Sequence, residues 1–343
     1  MKTKIVYLYL RNGFRSGLRS DTLWASLCWT ILMLYDKKVL EDFIESYTNS
    51  SSSQQPIYLS SAFPFLMKEG TAIPYVPIPF KKVKPKGNAN KTSFEEELTL
   101  SRARKKAEKK GDFIPLTQLV GGYAQALIDL KSDCYQLERK IQPTTHNTID
   151  RIQGSTLSIG GSGQLFHTED EFVFAEKQET KEIKVKVPAG LYFLVQTESD
   201  LLEPALRLLE HYGIGGDRTI GKGRFRIQVE DYQLPPATDA NVQMNLSLYH
   251  PTKSELHAIQ QADMNLLAYK LEARKGWKTN QVKGAQKDAV LYFQEGSIFP
   301  LAASQASNIL GCNQQVGKHD AGHTITQYGH GFMLNLKLPL DEA

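Results

Sequence analysis

The chain has 343 residues, 41% of them hydrophobic and 23% charged, which is enough apolar material to bury a core without covalent staples. Its 41 Lys and Arg against 37 Asp and Glu leave a formal net charge of +4, too small an excess to point to a partner by itself. Three cysteines, Cys28, Cys134 and Cys312, stand far apart with no CxxC pair; this speaks against a disulfide framework or a zinc knuckle and suits a reducing, cytoplasmic setting.

The chain opens with KIVYLYL, a β-branched and aromatic run that predicts a first strand and is far too short for a membrane span. No later apolar run reaches that length, so no membrane partner is expected. A basic loop with Arg11, Arg15 and Arg19 follows. Ser20 is a candidate helix N-cap with Asp21 in the first turn. Leu23, Trp24, Leu27, Cys28, Ile31, Leu34 and Tyr35 then recur at three-and-four spacing, which predicts a core-facing helix.

TNSSSSQQ reads as a polar loop tip. The prolines of PIYLSSAFPFL and AIPYVPIPF argue for an irregular surface segment rather than central strands. From Lys81 to Lys110 eleven Lys or Arg face four Glu, a local net of +7 that exceeds the whole chain's +4. Within it SFEEELTLSRARKKAEKKG predicts one exposed helix with Ser93 and Glu96 as a capping box. That helix reads either as a solvated face or as a basic arm. KKVKPKG, with Lys81 and Lys82, has no acidic compensation and is the better candidate for phosphate contact.

Beyond residue 146 the pattern changes to short alternating strands around glycine turns, with Gly160, Gly161 and Gly163 at a hairpin tip. KVKVPAGLYFLVQT predicts another strand pair. DLLEPALRLLEHY predicts a helix capped by Asp200 and Glu203 and stopped by Gly213. RFRIQVE then alternates strictly, with Phe225, Ile227 and Val229 on one side. LPPATDAN reads as a linker. The last hundred residues carry further β-like runs and one basic, helical-looking piece, YKLEARKGWK. A strand–helix unit near the N-terminus and another near residue 200 hint at two similar halves.

The most informative stretch joins that helix to that strand. GIGGDRTIGKGRF, Gly213 to Phe225, holds five glycines and three basic residues. Gly216 and Gly221-Lys222 fit a P-loop by spacing, but Gly223 replaces the magnesium-binding Ser or Thr and the helix precedes the loop instead of following it. A dinucleotide fingerprint would need glycine where Arg218 stands. Gly215-Gly216-Asp217 resembles a cyclase GGD by eye, but a lone Asp beside Arg218 reads as that arginine's partner rather than a metal ligand. What remains is a cradle of backbone amides with Arg218, Lys222 and Arg224 adding charge. The alternative is a glycine-rich connection whose cations face water.

These residues resemble a known family. GIGGDRTIGKGRF after an amphipathic helix resembles the glycine-rich loop of the RAMP superfamily of CRISPR systems. FRSGLRSDTLWASLCWTI, LSSAFPFL, NTIDRIQGST with GQLFHTEDEF, GSIF and YGHGFMLNLKL resemble, in order, segments of the fourth subunit of type III-A (Csm) effector complexes. The Lys81–Lys110 region matches least.

The resemblance implies an α+β fold of two ferredoxin-like (RRM-like) modules with insertions and a β-hairpin thumb. The first would span 1–233, with the basic insertion at about 81–111 and the thumb at about 146–180; a degenerate second would span 241–343. It implies a non-catalytic subunit without cofactor or metal that caps the guide-RNA 5′ tag and bridges the large polymerase-like subunit to the backbone RAMP subunit. The tag would lie along Gly213, Gly215, Gly216, Arg218, Thr219, Gly221, Lys222 and Gly223 and along Arg15, Arg19 and Ser20, with Arg151 and the Gly160–Gly163 hairpin near the tag–guide junction. Tyr212, Phe166 and Phe225 are candidate stacking platforms, Phe225 more in keeping with core packing.

The rival reading is a metal-independent endoribonuclease that processes guide precursors. His211, two residues before the loop, would be its base, unless it is only a cation at a helix C-terminus. His319 and His323 have helical metal spacing, but a glycine and a β-rich context argue against zinc.

Overall fold

The computed structural model describes residues 1–15, 17–80, 113–123, 126, 129, 135–150, 152–156, 158–159, 162–163, 165–180, 183–263, 265–278, 286–301, 308–319 and 322–338. The expected helix after Ser93, and with it Lys81, Lys82, Arg151, Gly160, Gly161 and Cys134, lies outside the described residues.

The first strand, β1 (Lys2–Leu10), is central in an antiparallel sheet. It pairs on one side with β9 (Ala189–Thr197) and on the other with β10 (Phe225–Asp231). Beyond β9 come β2 (Ile57–Leu59) and β3 (Phe63–Lys68), then β4 (Thr71–Pro77) and β5 (Phe113–Pro115). The order is β10-β1-β9-β3-β4-β5. KIVYLYL shows no alternation because both of its faces are buried. Val6 and Leu8 face α1 (Ser20–Leu34), α2 (Lys37–Glu45) and α4 (Leu202–Tyr212). Ile5 and Tyr7 face a second core. A continuous apolar run of strand length is the signature of such a strand.

The second core is closed by α3 (Leu116–Gly121) and by a smaller antiparallel sheet built from β11 (Val242–Asn245), β14 (Ile298–Pro300), β15 (Ile309–Gly311) and β18 (His330–Leu336). Between them lie α5 (Lys253–Gln261) and the pairs β12 (Leu271–Arg274) with β13 (Val290–Phe293) and β16 (Gln314–Lys318) with β17 (Thr324–Gln327). Helix α5 starts at a full capping box, in which Thr252 and Glu255 bond each other's backbone; Glu255 also accepts from the Gly311 amide. Among the described residues no helix is long and apolar enough to cross a membrane.

Four sequence expectations are corrected. The proline-rich segment 57–77 forms strands β2, β3 and β4, with Phe63, Phe65 and Leu66 buried. Pro74 falls where a ladder ends, since β4 pairs β3 as far as Pro74 and β5 from Tyr75 onward; Pro64 sits opposite Leu191 of β9 but outside the stretch of β3 that faces β4. YKLEARKGWK contains strand β12 rather than a helix.

The KVKVPAGLYFLVQT strands do not pair with each other: β8 (Lys184–Val187) joins the long hairpin, and β9 joins the main sheet. That hairpin is also longer than expected. Its arms are β6 (Tyr135–Asn147) and β7 (Leu165–Gln178), paired from Tyr135↔Lys177 to Asn147↔Leu165. Most of β6 is solvent-exposed, so it carries no apolar alternation to announce it.

Candidate nucleic-acid interface

Helix α4 ends where the Gly213 amide bonds the Leu209 carbonyl, with φ at +83°. The loop then folds back on itself: the Ile214 amide donates to the Gly223 carbonyl at 2.8 Å, and Ile214 is completely buried. A Cβ on Gly223, whose φ is +66°, would run into the Ile214 carbonyl. Gly223 is therefore required by a close backbone approach.

The arginine loop lies alongside. Arg15 and Gly216 form a β-bridge, the Gly223 amide donates to Gly13, and Asn12 donates to the Gly221 carbonyl while accepting from the Arg224 amide at 3.0 Å. Phe14 bridges to Glu171 in the long hairpin and packs against Phe225, both rings fully buried. Three segments distant in sequence are thus one construction.

This construction occupies most of the loop's amides. Those of Gly213, Ile214, Gly216, Ile220, Gly221, Lys222, Gly223 and Arg224 all donate within the fold. The amides of Gly215, Asp217, Arg218 and Thr219 have no partner among the described residues, and the last three are neighbours. Those three stand at the outer turn, where Asp217 is left-handed (φ +57°) and a single 3₁₀ turn runs from Arg218 to Ile220. The expected cradle of amides is therefore reduced to that outer turn.

The side chains divide in the same way. Arg15 pairs with Asp217, so that aspartate is not the partner of Arg218 as expected. The Lys222 ammonium reaches the buried Asp170 carboxylate in the long hairpin. Arg19 is pinned between Glu272 and Glu295, and Glu295 also accepts from the Ser61 hydroxyl. Although burial works against it, Arg19 lowers the Glu272 carboxyl below its ordinary range.

Ser20 has no exposed surface. Its amide donates to Ser61 and its hydroxyl accepts from the Leu248 amide, and it is the first helical residue of α1 rather than the cap. Arg19 and Ser20 are joints between the two halves of the molecule, and Ser20 offers an RNA strand no surface. Asp200 likewise caps nothing; Leu201 precedes α4, and Glu203 pairs with Lys4.

Arg218 and Arg224 pair with no carboxylate among the described residues, and Arg224 and Thr219 are exposed. Tyr212 and Phe166 are about half exposed, at 50% and 49%, while Phe225 belongs to the core. His211 is exposed in the last turn of α4, near the helix's negative end. His319 and His323 stack face to face at 4.4 Å; no group of three metal-ligating side chains occurs among the described residues.

A helix, a glycine loop and an edge strand, held against a basic N-terminal loop, together make up the region matched by one family model: residues 11–226 match the RAMP superfamily. The chain belongs to the RAMP superfamily. Residues 238–336 of this RAMP protein match the CRISPR Csm4 C-terminal domain, which makes it a RAMP protein of the Csm4 type. It is 23% identical over 339 residues to the CRISPR system Cms protein Csm4 of Thermococcus onnurineus (strain NA1), covering 97% of this chain and 96% of that one.

Two solved structures share its fold at a TM-score of 0.55. One is a Csm1-Csm4 cassette in complex with cA4, at 17% identity over 99% of both chains. The other is a Csm3-Csm4 subcomplex of the type III-A CRISPR-Cas interference complex, at 16% identity over 99% of this chain and 100% of that one.

Proposed function

We propose that this RAMP protein is a non-catalytic RNA-binding subunit of a type III-A CRISPR interference complex. It holds the guide-RNA 5′ tag and joins the large polymerase-like subunit to the backbone RAMP subunit. The strand order β10-β1-β9-β3, with α1 and α4 as crossovers, fits a ferredoxin-like module. The smaller sheet with α5 fits a degenerate second one, and the long hairpin fits the thumb. Relatives of the same fold are found with Csm1 and with Csm3, which supports both proposed partners.

The observation that carries the RNA reading is the outer turn. The amides of Asp217, Arg218 and Thr219 and the Arg218 guanidinium share it with no partner among the described residues, and most of the loop's other amides are engaged behind it. Such a turn can take a phosphate oxygen without consuming it. Tyr212 and Phe166 supply exposed rings of the kind that stack on bases. Asp217 and Lys222 are held in structural pairs, and His211 is accounted for by its place at a helix end; this supports binding over cleavage.

The test is anisotropy of a fluorescent tag-bearing RNA on the full chain across salt. Arg218→Ala should weaken binding and reduce the log–log salt slope by about 0.7, one counterion on a single strand. An unchanged slope refutes the assignment of this turn. Loss of repeat-RNA cleavage in His211→Ala, with binding retained, would favour the nuclease instead.

A further inference from the structure

Next to the outer turn lies a cleft of ≈ 330 Å³ that the loop alone does not explain. Gly215 and Arg218 form one wall. Helix α1 forms the second, with Trp29 on its rim. The C-terminal half forms the third, with Arg274, Lys275 and Lys287. Arg274 is held by a two-pronged pair to Asp21. Arg218, Lys275 and Lys287 have no carboxylate partner among the described residues.

The Lys287 stem lies across Gly276, and its amide donates to the Gly276 carbonyl at 2.8 Å. Burial lowers its ammonium below the ordinary lysine range, with Asp21 only partly offsetting this. Trp29 is 39% exposed, on a helix whose Trp24 is only 3% exposed.

We propose that this cleft takes one nucleotide of the bound single strand, its phosphates across Arg218, Lys275 and Lys287 and its base on Trp29. The size suits one nucleotide, since pockets for small ligands begin at about 300 Å³. The combination of cations that form no ion pair among the described residues and one exposed ring suits a nucleotide better than an acidic peptide, which has no base to stack. Sharing Arg218 with the outer turn makes the cleft continuous with the proposed strand path, which favours a chain over a free nucleotide. The inference rests on the RNA-binding reading and extends it to Lys275 and Lys287 of the C-terminal half.

The test uses the full chain, a fluorescent eight-nucleotide RNA, AMP and octaglutamate. Lys275→Ala/Lys287→Ala should weaken RNA binding about tenfold in moderate salt and lower the slope by about 1.4, two counterions on a single strand. Trp29→Ala should weaken it about tenfold with the slope unchanged, and Trp29→Phe should restore most of the loss. Thermal unfolding should match the parent for all three.

Wild-type affinity and slope in the double variant, while Arg218→Ala still weakens binding, would overturn the cleft and leave the outer turn standing. Failure of the parent to bind RNA would overturn both. Octaglutamate binding that the double variant abolishes, with RNA binding intact, would make the cleft a peptide site; the same pattern with AMP would make it a free-nucleotide site. Either result overturns the proposal.

Discussion

The Lys222 ammonium of the glycine loop is bonded to the Asp170 carboxylate of the long hairpin, and Asp170 is only 4% exposed. A lysine expected to meet RNA is instead a tether between two elements. Removing it strands a buried charge, which costs more than the pair itself contributes. Lys222→Ala should lower stability by about 2 kcal/mol in urea unfolding, and Lys222→Ala with Asp170→Asn should recover part of that. The salt slope of RNA binding should not move in either variant.

Asp217 is the lone carboxylate on the outer turn, held left-handed and paired with Arg15. Asparagine tolerates the same backbone. Asp217→Asn should cost under about 1 kcal/mol, because both partners of the pair keep part of their surface in water. It should also tighten RNA binding a few-fold at low salt by removing a negative charge from the phosphate's approach. Calorimetry and anisotropy would check the two halves, and unchanged affinity would count against phosphate contact at this turn.

Two glycines of the loop make a matched pair. Gly223 and Gly221 both have positive φ, at +66° and +89°. A Cβ at 221 meets nothing within 4 Å, whereas one at 223 meets the Ile214 carbonyl. Gly221→Ala should cost about 1–2 kcal/mol of backbone strain. Gly223→Ala should cost distinctly more, read as the larger fall in melting temperature. Equal falls would mean that the Ile214–Gly223 approach relaxes easily.

His330 is buried among the rings of Tyr47, Tyr58 and Tyr328. Burial lowers its pKa to about 4, against a backbone hydrogen bond to Leu310 that raises it. An unfolded histidine titrates near 6.5, so between those values the unfolded chain binds more protons and stability rises with pH. On acidification from pH 7 to 4 this one group should remove roughly 3 kcal/mol. His330→Asn should flatten the melting temperature over that window relative to the parent. An equally steep fall in the variant would assign the acid sensitivity to other groups.

The helix–glycine–strand unit was legible because its signals are local. The apolar face of α4, the stop at Gly213 and the alternation of β10 all lie within about thirty residues. What escaped depends on distant partners. Pro64 and Pro74 read as strand breakers until β4 is seen to leave Pro64 unpaired on that side and to end its ladder with β3 at Pro74. Arg19 reads as a free cation until Glu272 and Glu295, more than 250 residues away, close on it. Ser20 reads as a cap until Leu248 claims its hydroxyl. Arg218 was legible as a candidate contact, but its company of Lys275, Lys287 and Trp29 is made by tertiary packing alone.

The central position of β1 has a consequence for biosynthesis. Both of its strand neighbours, β9 and β10, are translated about 180 residues or more after it. At roughly 5–20 residues per second, this strand, apolar from Ile5 to Leu10, leaves the ribosome some 10–40 s before either partner exists. Through that interval KIVYLYL is an aggregation hazard that a chaperone or a nascent neighbour must shield, and the fold cannot close until the glycine loop itself has been made.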